Sequence, residues 1–212
     1  MAGVYGIMET ALRVRRGGER MKKIPTLFRR VYDDGSPYLT REVTKGCEWV
    51  GNGEGVATEK VDGSACAIID GVFYRRYDAK RGKEPPSEGI PCQDAPDPVT
   101  GHWPWWVPVR EGVDADRWYF TAYLNTPWCR EDGTYEAVGP HFQRNPYDLP
   151  EDVLERHGRI KLPDCPRDWV GIREYLRAHE IEGIVWHRGN GDMCKIKRTD
   201  YGFPWPVERV SE

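Results

Sequence analysis

Two Asp-Gly dipeptides, eight residues apart, constrain the fold of this chain more than any other feature. Ala57 to Val61 reads as a strand, Asp62-Gly63 as a turn, Ala65 to Ile69 as a second strand, Asp70-Gly71 as another turn, and Val72 to Tyr77 as a third strand. Asp-Gly supplies the left-handed backbone that a two-residue hairpin turn requires, so the pattern predicts an antiparallel meander. Beyond it, residues 80 to 117 are rich in proline and hold the cluster Trp103-Pro104-Trp105-Trp106-Val107-Pro108. Proline removes ladder donors and helix bonds, so this stretch reads as a long surface excursion. Trp118 to Leu124 and Thr134 to Gly139 read as strands, and Pro150 to His157 as a helix. Asp168 to His179 reads as a second helix with Asp168 as its N-cap. Gly183 to His187 and Met193 to Lys197 read as a last β pair around Gly189-Asn190-Gly191.

The chain has 212 residues, enough for one sizeable core. The 17 prolines and nine tryptophans, outside any long helical pattern, fit β structure with decorated loops. A basic extension over residues 1–23, carrying Arg13, Arg15, Arg16, Arg20, Lys22 and Lys23, precedes a single domain over residues 24–212. The net charge of -3 does not mark a nucleic-acid binder, but phosphate contacts depend on local rather than total charge. Cys47, Cys66, Cys92, Cys129, Cys165 and Cys194 form no C-x-x-C pair, so no zinc ribbon is expected, and they read as reduced thiols of a cytoplasmic protein. No apolar stretch approaches the roughly 20 residues of a membrane span, and no signal peptide or obligate protein partner is evident.

The chemistry-bearing residues begin with Lys60, at a strand end beside Asp62-Gly63. Alone it is an ordinary lysine next to a turn. Lys195 and Lys197 alternate around Ile196 in a strand, which puts both amines on one face. If Lys60 meets the same cavity, clustered cations favour an amine nucleophile and suit an α-phosphate under in-line attack. Two carboxylates flank apolar β runs: Glu136 in Tyr135-Glu136-Ala137-Val138-Gly139, and Glu182 before Gly183-Ile184-Val185. A ribose hydroxyl or a divalent metal ion is a natural ligand for either.

The order Lys-x-Asp-Gly, Arg75-Arg76, Tyr-Glu-x-x-Gly, Glu-Gly-Ile-Val, Lys-Ile-Lys over residues 59 to 197 resembles the covalent nucleotidyltransferase superfamily of DNA ligases, RNA ligases and messenger-RNA capping enzymes. Each motif is weak alone, and five in sequence are strong. Thr58 to Gly63, Trp106-Val107-Pro108-Val109, Val138-Gly139 with Asn145-Pro146-Tyr147, and Ile181 to His187 are similar in particular to the RNA ligase family whose vertebrate member joins 5′-phosphate to 3′-hydroxyl RNA ends. Arg144 departs from that pattern, where a glycine is expected before Asn145.

The resemblance implies an α+β adenylyltransferase domain of two antiparallel sheets flanked by helices, with a nucleotide groove between them. It implies that Lys60 forms a lysyl-AMP from ATP, that AMP passes to an RNA 5′-phosphate, and that a 3′-hydroxyl then displaces it. Glu59 would lie near the adenine edge, Arg76 at the ribose or the RNA 5′-phosphate, and Glu136 at the ribose or a metal-bound water. Glu182 would hold Mg²⁺, with Mn²⁺ as a substitute, and Lys195 and Lys197 would grip the α-phosphate. The basic N-terminal segment with Arg29 and Arg30 would contact RNA phosphates, and exposed members of Trp103, Trp105 and Trp106 would stack bases unless they pack onto the core.

Alternatives share parts of this set. A GTP-using capping enzyme or a DNA ligase would be expected to carry a further domain after Lys-x-Lys, whereas fifteen residues follow Lys197 here. A non-catalytic RNA-end-binding module has little use for Lys60 together with both phosphate lysines. A protein-modifying adenylyltransferase uses the same chemistry and stays open.

Overall fold

The computed structural model describes residues 21, 23–33, 36–98 and 100–207. A hairpin, β1 (Phe28–Asp33) with β2 (Ser36–Val43), forms a two-stranded sheet of its own beside two larger antiparallel sheets. The smaller has three strands in the order β11 (Asp192–Lys197), β10 (Gly183–Arg188), β3 (Val56–Lys60). The larger has six, in the order β6 (Ile90–Pro91), β7 (Trp103–Pro108), β5 (Val72–Ala79), β4 (Ser64–Ile69), β8 (Gly133–Val138), β9 (Val153–Arg156). Among the described residues, three α-helices flank them: α1 (Glu48–Gly51), α2 (Arg117–Asn125) and α3 (Trp169–Ala178). The chain is thus α+β with two antiparallel sheets, and no helix among the described residues is long and apolar enough to cross a membrane.

The sheets have separate cores. Ala57, Ile184, Trp186, Cys194 and Ile196 cover one face of the three-stranded sheet and pack on Ile172 and Leu176 of α3 and on Trp49 and Val50 of α1. Cys66, Ile68, Phe73, Tyr135 and Leu154 pack with Ala122 of α2 on one face of the larger sheet. The alternate residues Ala67 and Ile69 join Cys92 and Trp106 on its other face. A strand buried on both faces carries no polar alternation, which is why β4 reads as an unbroken apolar run.

Only half of the expected meander forms. Asp70 and Gly71 have φ of 51° and 75°, the left-handed pair of a hairpin turn, and β4 pairs with β5 across them. Asp62 and Gly63 are not among the residues with positive φ, and β3 pairs with β10 rather than with β4. The dipeptide is therefore a crossing from one sheet to the other. Three further expectations are corrected. Residues 118–124 are helical: Trp118, Tyr119, Ala122 and Tyr123 share one helical face against the larger sheet, and that packing outweighs their β propensity. Pro150 to His157 contains β9, not a helix, because β8 offers an open edge that Val153 to Arg156 completes. The excursion contains β6 and β7. Pro104 lies beyond the two residues of β6, where its carbonyl still accepts from the Cys92 N–H at 2.9 Å.

Elsewhere the local signals hold. Asp168 caps α3, accepting from the N–H groups of Val170 and Gly171 at 3.0 and 2.9 Å. β10 and β11 pair in register from Gly183↔Lys197 to Arg188↔Asp192. Met21 packs beside Trp106 and Lys23 pairs with Asp97 at 3.0 Å, while the remaining basic residues of the expected extension lie outside the described residues.

Candidate active site

Lys60, Gly183 and Lys197 lie opposite one another across β3, β10 and β11. Residues paired directly across a sheet point to the same side, so the row brings both lysines to one face. Glu182, 4% exposed, precedes the row. Its Oε1 accepts from Lys197 Nζ at 2.7 Å and its Oε2 from Lys60 Nζ. Gly183 is required for the spacing: a Cβ there would stand 2.2 Å from the Ile196 carbonyl oxygen. Lys195 lies two positions before Lys197 along β11, on the same side. Burial first, then the charges of Lys60 and Lys197, bring its ammonium down to about 8, against a weaker pull from Glu182. Lys60 and Lys197 thus share the Glu182 carboxylate with Lys195 in electrostatic reach, an arrangement that favours an incoming anion.

The crossing that follows Lys60 is fixed at each residue. Val61 is buried. The Asp62 N–H donates to the Tyr147 hydroxyl at 2.6 Å, and the Trp205 indole N–H donates to Asp62 Oδ2 at 2.8 Å. A Cβ on Gly63 would stand 2.4 Å from the Ala137 carbonyl oxygen and 2.8 Å from Val138 Cγ1. Burial first, then Glu182, pushes the Asp62 carboxyl up, with Trp205, Lys60 and Lys197 opposing.

Glu136 on β8 is 8% exposed. One oxygen, Oε1, lies 3.0 Å from His157 Nε2, which donates to the carboxylate. The other, Oε2, is buried with no hydrogen-bond partner among the described residues. A buried acceptor left unmatched is costly, and a ligand hydroxyl would satisfy it. His187 on β10 lies 3.1 Å from Thr58 Oγ1. The Thr58 hydroxyl donates to the Val185 carbonyl at 3.1 Å, so its oxygen accepts from His187 Nε2–H. Burial, then His157, holds the His187 imidazolium down. Glu59 is half-buried, with its carboxyl pushed up by burial and then by Glu155. Arg76 donates to Asp78 at 3.0 Å and lines a cavity of about 160 Å³ with Lys23, Asp97 and His102, and its charge also reaches Lys195.

The structure therefore joins Lys60, Glu182, Lys195 and Lys197 in one cluster, with Arg76 within electrostatic reach of it. Glu136 sits at a separate polar group with His157, and Glu59 at the β3 edge. No three His, Cys, Asp or Glu side chains among the described residues gather to hold a metal ion. An ion at Glu182 would complete its shell with waters and substrate phosphate oxygens, the usual habit of Mg²⁺. Arg29 and Arg30 are engaged by Glu42 and Asp200. Trp106 is buried, and Trp103 and Trp105 are half-buried against each other with ring centroids 4.8 Å apart. Sequence reasoning assigned no role to His157, His187, Tyr147 or Trp205. Only Tyr147, in Asn145-Pro146-Tyr147, and His187, in Ile181 to His187, lay in stretches that carried a signal, and that signal was a resemblance rather than chemistry.

A family model described as RNA ligase 1 matches residues 129–211, a stretch that holds Glu136, Glu182, Lys195, Lys197, Tyr147 and Trp205. RNA ligase 1 of Mus musculus is 26% identical over 72% of this chain and 68% of its own length. The Rattus norvegicus protein is 25% identical over 72% and 69%, and the Danio rerio protein 34% identical over 35% and 26%. Over most of its length by sequence, and over residues 129–211 by the family model, this chain is similar to RNA ligase 1.

Proposed function

We propose that the chain is an ATP-dependent RNA ligase that works through a covalent lysyl-AMP on Lys60. The observation that carries this reading is the row Lys60–Gly183–Lys197, bridged by Glu182 and backed by Lys195. It supplies a nucleophile, two further cations for a phosphate, and a carboxylate in contact with the nucleophile. In the first step Lys60 Nζ attacks the α-phosphorus of ATP. A phosphorus–nitrogen bond forms, pyrophosphate leaves, and the Lys60 proton passes to Glu182 or to solvent. Lys195 and Lys197 stabilise the charge that builds on the α-phosphate. An RNA 5′-phosphate oxygen then attacks the lysyl-AMP, freeing Lys60 and leaving a 5′–5′ pyrophosphate. A 3′-hydroxyl finally attacks the RNA phosphorus, a phosphodiester forms and AMP departs. Each step is an in-line displacement at phosphorus, so one cluster of cations serves all three. Mg²⁺ would be held by Glu182 and would supply charge neutralisation of the ATP phosphates.

The unmatched Oε2 of Glu136 supports a ribose hydroxyl at that position. Glu59 would face the adenine edge, and Arg76, beside its cavity, the ribose or the RNA 5′-phosphate. The test is sealing of 5′-phosphorylated RNA and DNA strands with 3′-hydroxyl ends, with ATP or GTP. RNA joined with ATP is expected. Preferential joining of DNA, or use of GTP, would overturn the assignment.

A further inference from the structure

Beyond the lysine row, a second structure acts on the Lys60 loop from the far end of the described chain. After β11 the chain makes a single 3-10 turn, Arg198–Tyr201, ended by Gly202 at φ 77°. The segment that follows is anchored by Arg198, itself only 7% exposed. Its guanidinium donates to the carbonyls of Leu176 and His179 at the end of α3, the latter at 2.8 Å, and from Nε to the Pro204 carbonyl at 2.9 Å. The Phe203 ring lies 5.6 Å from the same guanidinium. Pro204 is thereby tied to α3, and the next residue, Trp205, reaches the crossing loop. Its indole N–H donates to Asp62 Oδ2, while Tyr147, 6.2 Å from it ring to ring, accepts from the Asp62 N–H.

A buried arginine that spends its donors on three carbonyls fixes a segment firmly. The part fixed here ends in one directed hydrogen bond, onto the residue two places after the nucleophile. The loop has no ladder of its own at Asp62, since β3 ends at Lys60 and β4 begins at Ser64. We infer that Trp205 is a positioning residue: with Tyr147 it clamps Asp62 and thereby holds the Lys60 loop between the sheets in the geometry needed to form lysyl-AMP. The role rests on the proposed function only in its last clause, because the clamp itself can be read without any activity.

The experiment uses the full chain with Trp205→Phe, which keeps a ring and removes the N–H, and Tyr147→Phe, which acts from the other side. Amide hydrogen exchange is followed at residues 61–63 and in β10. With the clamp weakened, exchange at Asp62 is expected to rise at least about ten-fold more than at the β10 amides, whose own rise reports the loss of global stability. Lysyl-AMP formation is expected to show kcat about ten-fold lower with KM for ATP within about two-fold, since the loss falls on orientation rather than on binding. Unchanged exchange at Asp62 overturns the clamp. So does a uniform rise that includes β10, which would mark a general loss of stability. Faster exchange at Asp62 with unchanged kcat overturns the positioning role. If the unaltered protein forms no lysyl-AMP, the proposed function falls, and the clamp still stands or falls on the exchange data.

Discussion

The Asp-Gly dipeptides at 62–63 and 70–71 are identical in sequence and opposite in use. Asp70-Gly71 turns a hairpin with local means. Both residues take the left-handed conformation, and their N–H groups are accepted at 3.0 Å by the carboxylate of Asp132, in the loop that enters β8. Asp62-Gly63 turns nothing. It crosses between sheets, and its contacts come from far along the chain: Tyr147, Trp205 and the β8 backbone. The difference shows that glycine serves two physical purposes. At Gly71 it permits a conformation, and at Gly63 it permits a close approach.

Alanine at the two glycines separates those purposes most sharply. Gly71→Ala meets nothing within 4 Å and carries only backbone strain, about 1 kcal/mol in urea unfolding, with nucleotidyl transfer unchanged. Gly63→Ala drives a Cβ into backbone and into Val138, and is expected to cost about 3 kcal/mol and to reduce lysyl-AMP formation at least about a hundred-fold. Equal effects would break the comparison.

The next effect belongs to the strand row beside the crossing, where burial first, then Lys60 and Lys197, act on Lys195. With Lys195 at about 8, the free protein loses that proton above pH 8. A bound phosphate favours the ammonium, so ATP binding should take up a proton, and affinity should weaken by up to about ten-fold per pH unit above 8. Calorimetry in buffers of different ionisation heat reads the uptake, and Lys195→Met should abolish it. The sign for folding is separate: between about 8 and 10.5 the unfolded chain holds more protons at this site, so its contribution to stability rises with pH.

Removing the distant acceptors comes third. Tyr147→Phe leaves the Asp62 N–H unpaired, a loss of about 1–3 kcal/mol in urea unfolding. Asp132→Ala uncovers two N–H groups that water can serve, costs less than about 1 kcal/mol and spares activity. The smallest effect tests the loop that delivers Tyr147. Gln143, Arg144 and Asn145 all have positive φ, at 46°, 61° and 50°. Glycine at 144 relieves a strain of about 1 kcal/mol but costs chain entropy, so Arg144→Gly should raise the midpoint of thermal unfolding slightly or leave it unchanged.

What could be read from the sequence follows the same division between local and distant causes. The Asp70-Gly71 turn, the Asp168 cap and the shared face of Lys195 and Lys197 depend on neighbours in the chain, and each forms as expected. The crossing at Asp62 looked like a hairpin because nothing nearby reveals that β3 pairs with β10, whose Glu182 neighbour meets Lys60 from 122 residues away. α2 and β9 were exchanged for the same reason: tertiary packing settles both, and aromatic residues or a leading proline settle neither. His157 was hidden by the helix expected around it, and Trp205 by lying past the last motif.

The proposed reaction turns on a covalent bond between Lys60 and AMP. The direct measurement is to incubate the protein with α-labelled ATP and Mg²⁺, denature it, and locate the label by peptide mass spectrometry. One AMP is expected on the peptide that carries Lys60, labile to acid, formed from ATP and absent in Lys60→Ala. AMP attached to any other residue, or label that persists in Lys60→Ala, would contradict it.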